Sequence, residues 1–172
     1  MKDATATVML QDAFWLTAED LMYHHTNPWE LDEALCAQGY GMGPCEAQDL
    51  LGLEKVLARR PDRPVPILPR MVAEGRMGKG GGVGYYRYPG GGGAVIDPLV
   101  EDLILEEAWF GKIKRSEMSD SALVERMHAA FQPIVSTLLD QGMKEQDIVR
   151  ILHQALHFPE GGDLTATGLS RK

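Results

Sequence analysis

An all-α domain is the fold class this sequence predicts, on three observations. Residues 4–25 and 119–141 carry apolar side chains at helical spacing without a single glycine. Helix-start signatures stand at Asn27-Pro28, Asp97-Pro98 and Ser119-Asp120. Glycine and proline gather in short breaks between these stretches, at 39–44, 61–69 and 78–93.

The elements follow in order. Residues 4–25 form a long helix whose apolar face includes Val8, Met9, Phe14, Trp15, Leu16, Leu21 and Met22. Asn27 then caps a second helix. Pro28 sits in the first turn, where a missing N–H is harmless, and Glu30 completes a capping-box spacing. Leu31, Ala34 and Leu35 are its buried stripe, and Gly39, Gly41 and Gly43 stop it. Pro44 opens a third helix through Ala47, Leu50 and Leu51, broken at Gly52. Pro61, Pro64, Pro66 and Pro69 make an extended connection, and a helix over roughly 67–76 follows. The glycines of 78–84 forbid regular structure. Tyr85, Tyr86 and Tyr88 suit a short strand, and Gly90–Gly93 a flexible hinge. Asp97-Pro98 starts a helix through Leu99, Leu103, Ile104 and Trp109 that ends at Gly111. The helix from Ser119-Asp120 is expected to bend near Pro133, Gly142 ends it, and residues 144–157 form one more.

The totals set the class. With 172 residues the chain has the length of one ordinary domain, and a net charge of −8 disfavours nucleic acid or an anionic membrane as main partner. Cys36 and Cys45 are too few for a disulfide framework and read as a reduced pair. With no apolar run near membrane-span length and no signal-peptide order at residues 1–10, the expected compartment is the cytoplasm.

Two motifs carry the functional reading. Gly39-Tyr-Gly-Met-Gly-Pro-Cys-Glu-Ala-Gln-Asp-Leu-Leu-Gly-Leu53 leads through the proline-rich loop into Glu74-Gly-Arg-Met-Gly-Lys-Gly-Gly-Gly-Val-Gly-Tyr-Tyr-Arg-Tyr88. Together they resemble the C-terminal helical domain of the 3-hydroxyacyl-CoA dehydrogenases, as found in multifunctional fatty-acid oxidation proteins. The resemblance implies a helical bundle of two degenerate tandem repeats within a single domain, 1–172. The first repeat spans about 4–110 and the second about 119–169, with Phe158-Pro-Glu-Gly-Gly162 in place of the 40–44 turn. Since single-copy members use this unit as a dimer interface, the long helices of the two copies are expected to pack together as a pseudo-dimer.

The family reaction is hydride transfer to NAD, with a His base and its Glu supplied by an N-terminal dinucleotide-binding domain. No glycine run here follows an apolar strand and opens a helix, so no such domain is expected, and NAD enters only through a separate chain. The family's local catalytic Asn aligns with Ala6, which has no side-chain donor or acceptor. The catalytic set is therefore empty, and whether the chain is itself an enzyme stays open.

What the resemblance leaves is a cleft wall. Tyr40, Gly41, Met42, Gly43 and Pro44 match the turn facing the acyl-thioester, where Met42 can pack on an acyl chain and the glycines admit backbone close to a ligand. The same glycines also suit a plain turn between helices. Arg76, Lys79 and Gly80–Gly84 read as packing or hinge rather than a phosphate site. His153 and His157 have metal-compatible spacing without a third ligand, so no metal is assigned.

The expected function is a stand-alone relative of the dehydrogenase C-terminal domain, non-catalytic alone and linked to acyl-CoA metabolism. One alternative is a subunit of a split NAD-dependent 3-hydroxyacyl-CoA dehydrogenase, and another a ligand-free helical scaffold. The partners considered are acyl-CoA, a Rossmann-domain chain, or a second copy. A face around Trp15, Tyr40 and Met42 is expected under such a partner, unless the tryptophans are simply core residues.

Overall fold

The computed structural model describes residues 2–162 and Leu164. Among these residues, eight α-helices, two short 3-10 turns (Lys79–Gly81 and Pro89–Gly91) and one small hairpin make up the domain, with the first helix at its centre.

Helix α1 (Lys2–His24) buries Leu10, Phe14, Ala18, Leu21 and Met22, and also Trp15 and Tyr23 on its flanks. Such broad burial fits its position, since it packs against the third, sixth, seventh and eighth helices at once. Helix α2 (Pro28–Cys36) starts as its sequence demands: the Asn27 side chain accepts the Glu30 N–H at 2.9 Å. The Glu30 carboxylate, however, takes the Thr26 hydroxyl at 3.3 Å rather than closing a capping box.

Helix α3 (Pro44–Leu51) and helix α4 (Leu53–Arg59) are joined at Gly52, whose φ of 107° few other residues adopt. No periodic signal marked α4 in the sequence. Helix α5 (Ile67–Ala73) is shorter than expected and takes in Pro69, which lies in the first turn where no N–H is needed. It has no cap from its own segment. Glu19 of α1 substitutes, accepting the Leu68 N–H at 2.8 Å and Arg63 at 2.6 Å. Burial pushes the Glu19 carboxyl up from its ordinary value, opposed by those donors.

Strands β1 (Tyr86–Arg87) and β2 (Val95–Ile96) form an antiparallel hairpin. Between them the glycines 90–93 make hydrogen-bonded turns that close the hairpin, rather than a hinge: Gly91 N–H donates to Tyr88 at 3.0 Å and Gly92 N–H to Pro89 at 3.1 Å.

Helix α6 (Pro98–Phe110) is capped by Asp97, which accepts the Leu99 N–H at 3.1 Å. Helix α7 (Asp120–Asp140) is capped by Ser119 and runs through Pro133 as one helix. Helix α8 (Glu145–Leu156) ends at His157 in the left-handed conformation. The expected contact between the two long helices is present: Phe14 of α1 and Phe131 of α7 have ring centroids 5.8 Å apart. The end of the expected second repeat, Leu169, lies outside the described residues.

Candidate functional site

The two glycine motifs meet, and two buried aspartates join them. Asp49, on the inner face of α3, accepts the Tyr85 N–H at 2.8 Å, the Tyr86 N–H at 3.0 Å and the Tyr88 hydroxyl at 2.7 Å. Gly84 permits this contact, because a Cβ there would overlap the Asp49 carboxylate. Arg76 closes the loop from the other side. It donates to the Gly84 carbonyl at 2.9 Å and to the Asp97 carboxylate at 2.8 Å, so the glycine turn is tied to the cap of α6. Lys79 lies 5.9 Å from the Tyr88 ring centroid, a cation–π distance.

Asp32 of α2 plays the matching part at the other end of α3. It accepts the N–H groups of Cys45 and Glu46, both at 3.0 Å, and thereby caps the first turn of α3, which has no cap of its own. The Tyr86 hydroxyl donates to the same carboxylate at 2.8 Å. Gly43 must lack a side chain, since a Cβ would collide with Asp32.

Burial pushes the Asp32 carboxyl up to about 7 and the Asp49 carboxyl up to about 6, each opposed by its hydrogen-bond donors. Both bind a proton more tightly folded than unfolded. The stability they contribute is therefore complete below the unfolded value of 3.8 and is lost as pH rises through about 6 and about 7. Between those limits each group changes the unfolding free energy by about 1.4 kcal/mol per pH unit. Urea midpoints measured from pH 5 to pH 8 are expected to fall, and Asp32→Asn to flatten that fall. An equally steep profile in the variant counts against this assignment.

The five sequence-assigned positions divide. Tyr40 is buried, stacked on Phe14 at 5.9 Å and edge-on to Phe158 at 5.7 Å. Gly43 and Pro44 are buried against the rest of the domain. Gly41 is exposed and Met42 half-buried, so these two present the turn to the surface. The Gly41 N–H donates to the His157 carbonyl at 3.0 Å, bonding this turn to the one after α8. The face expected around Trp15 and Tyr40 is not exposed, because both side chains are in the core, Trp15 beneath the Arg59 guanidinium.

A cleft of about 370 Å³ adjoins the turn, lined by Gln38, Tyr40, Val124, His128, Phe158 and Pro159. A second cleft of similar volume, bounded by Ala6, Met9, Ile134, Leu138 and Met143, lies between α1 and α7. Ala6, aligned with the catalytic Asn, lines this cleft, whose other walls include Thr5, Thr137 and Gln141 as well as the apolar side chains. Asp32 and its link to Tyr86 escaped the sequence reading. Its one signal is a carboxylate inside the buried stripe of α2, between Leu31 and Ala34.

The model of the "3-hydroxyacyl-CoA dehydrogenase, C-terminal domain" matches residues 7–88, the segment containing most of α1 and both linked motifs. Residues 7–88 belong to that family. The peroxisomal fatty acid beta-oxidation multifunctional protein of Oryza sativa subsp. japonica is 31% identical, the match covering 77% of this chain and 20% of the relative. The crystal structure of the dehydrogenase part of multifunctional enzyme 1 from C. elegans superposes with a TM-score of 0.73 at 19% identity, covering 94% of this chain and 38% of that one. The 3-hydroxyacyl-CoA dehydrogenase C-terminal-domain fold therefore extends across nearly the whole chain. The family is linked to fatty-acid beta-oxidation. The chain spans about a fifth of the rice relative's length and under two-fifths of the worm chain.

A nicotinamide dinucleotide, the cofactor of dehydrogenases of this kind, does not fit the glycine turn of this family domain. A pyrophosphate cradle needs backbone N–H groups at a helix N-terminus after a strand. Here the turn follows helix α5 and precedes strand β1, and its Tyr85 and Tyr86 N–H groups are already held by the Asp49 carboxylate, a charge that repels phosphate.

Proposed function

We propose that this chain is a non-catalytic helical component of 3-hydroxyacyl-CoA dehydrogenase machinery in fatty-acid beta-oxidation. It supplies one wall of an acyl-thioester cleft that a dinucleotide-binding domain, from another polypeptide or segment, completes. One observation carries the reading. Asp49, Arg76, Tyr86 and Tyr88 of the two family motifs, together with Asp32 of α2, are engaged in holding the domain together. Their chemistry goes into rigidity, leaving Gly41 and Met42 as the part of the 40–44 turn at the surface.

In the same reading, residues 119–162 are a degenerate second copy of the unit formed by the first repeat. The bond from Gly41 to His157 and the edge-on rings of Tyr40 and Phe158 support it, because they bring the two corresponding turns together.

The isolated chain is expected not to oxidise NADH in the presence of acetoacetyl-CoA above a heat-denatured blank. Turnover that survives purification and is lost on denaturation overturns the non-catalytic reading. Met42→Glu is expected to leave the unfolding free energy from urea titration within about 0.5 kcal/mol of wild type, because Met42 is only half-buried.

A further inference from the structure

Helix α6 carries a surface that the rest of the domain does not use. Nine large hydrophobic residues are exposed among those described, and six of them fall between Val95 and Phe110. Trp109 is 76% exposed, Leu99 64%, Phe110 60% and Leu105 43%. This concentration is what marks the face, because scattered single exposures are ordinary. The inner face of α6, with Val100, Leu103, Ile104 and Ala108, is already buried in the core. The exposed apolar side chains are therefore not part of the core that holds α6 in place.

Helical geometry arranges the outer face as three parallel rows. At 100° per residue, Leu105 and Trp109 lie one turn apart along one edge and Leu99 and Phe110 lie towards the other, the Trp109 and Phe110 rings meeting edge-on at 5.5 Å at the C-terminal end of the helix. Asp102 and Glu106 run between them. The α6 helix holds four carboxylates and no basic residue. Arg70 reaches Glu106 at 3.1 Å and Glu107 at 3.2 Å from the side, while Asp102 makes no ion pair among the described residues.

That central acidic row selects the occupant. A second copy docked symmetrically on this face sets the Asp102–Glu106 row against the same acidic row of its partner, so that carboxylates face carboxylates. Phosphate-bearing ligands and anionic lipid surfaces meet the same repulsion. A basic amphipathic helix is complementary: its apolar side chains cover Leu105, Trp109, Leu99 and Phe110, and its Lys or Arg residues meet the carboxylates. We propose that the outer face of α6 is a docking site for a partner polypeptide presenting a basic amphipathic helix. This rests on exposure and charge and is independent of the reading given to the 40–44 turn.

The probe is a phage-displayed library of helical peptides varied among Lys, Glu, Leu and Ala, selected on the immobilised full chain. The expected winners carry Leu at i, i+3 and i+4 with Lys on the same face. A synthetic winner is expected to bind at least tenfold more weakly to Trp109→Ser and to Asp102→Lys, and more weakly in high salt. Leu105→Ser is a second variant at a half-exposed position, and circular dichroism checks that all three fold. The proposal is overturned if enrichment is the same on Trp109→Ser, if Glu-rich peptides win, or if nothing is enriched. It is equally overturned if sedimentation shows a dimer, or phosphatidylserine vesicles bind, in a manner that Trp109→Ser abolishes.

Discussion

Asp49→Ala is expected to lower the unfolding free energy by about 3–5 kcal/mol, a large share of the stability of an ordinary domain. Three donors converge on this carboxylate, two of them backbone N–H groups that no water reaches. Removing the acceptor leaves those groups buried and unpaired, which costs far more than the net worth of a hydrogen bond made in water. The damage is local to the junction of the two motifs, so it has internal controls. Tyr88→Phe deletes one donor together with its bond and is expected to cost only about 1–2 kcal/mol. Gly84→Ala attacks the same contact sterically and is expected to resemble Asp49→Ala. Urea unfolding followed by circular dichroism measures all three. A cost below about 1 kcal/mol for Asp49→Ala means that the aspartate is not what binds the motifs together.

Phe131→Ala is the second large effect, expected at about 3–5 kcal/mol. Phe131 is fully buried, with its ring 5.8 Å from Phe14 and 6.3 Å from Phe158. It belongs to α7 and touches α1 and the turn after α8, so its loss opens a cavity between the N-terminal and C-terminal parts of the chain. Because one continuous core spans both parts, a single cooperative transition is expected at a lower midpoint. Two resolved transitions, with the far-ultraviolet signal lost in steps, indicate that residues 119–158 form a separable unit and that this account of the core is wrong.

The legible parts of this protein are those governed by neighbours in sequence. The caps at Asn27, Asp97 and Ser119 are side chains within three residues of the N–H they satisfy, so spacing alone reveals them. The break at Gly52 and the ends of the long helices are likewise local. Helix α4 was not legible, since seven residues are too short for a periodic signal and its position depends on contacts such as the Leu53 N–H bond to Met77 at 2.9 Å. The start of α5 at residue 67 was legible, but its cap was not, since that comes from Glu19, far away in the chain.

The candidate site divides along the same line. By itself the sequence determined an all-α domain with two glycine motifs at a set distance, because periodicity, capping and family spacing are one-dimensional properties. Only the tertiary structure decided what the motifs do for one another. Asp49 meets Tyr85, Tyr86 and Tyr88 across more than thirty intervening residues, and Asp32 meets Tyr86 across more than fifty. Such pairings leave no periodic trace. Burial itself is a tertiary decision: Trp15 and Trp109 are the same residue type on amphipathic helices, and the packing around α1 encloses one while the outer face of α6 leaves the other in water.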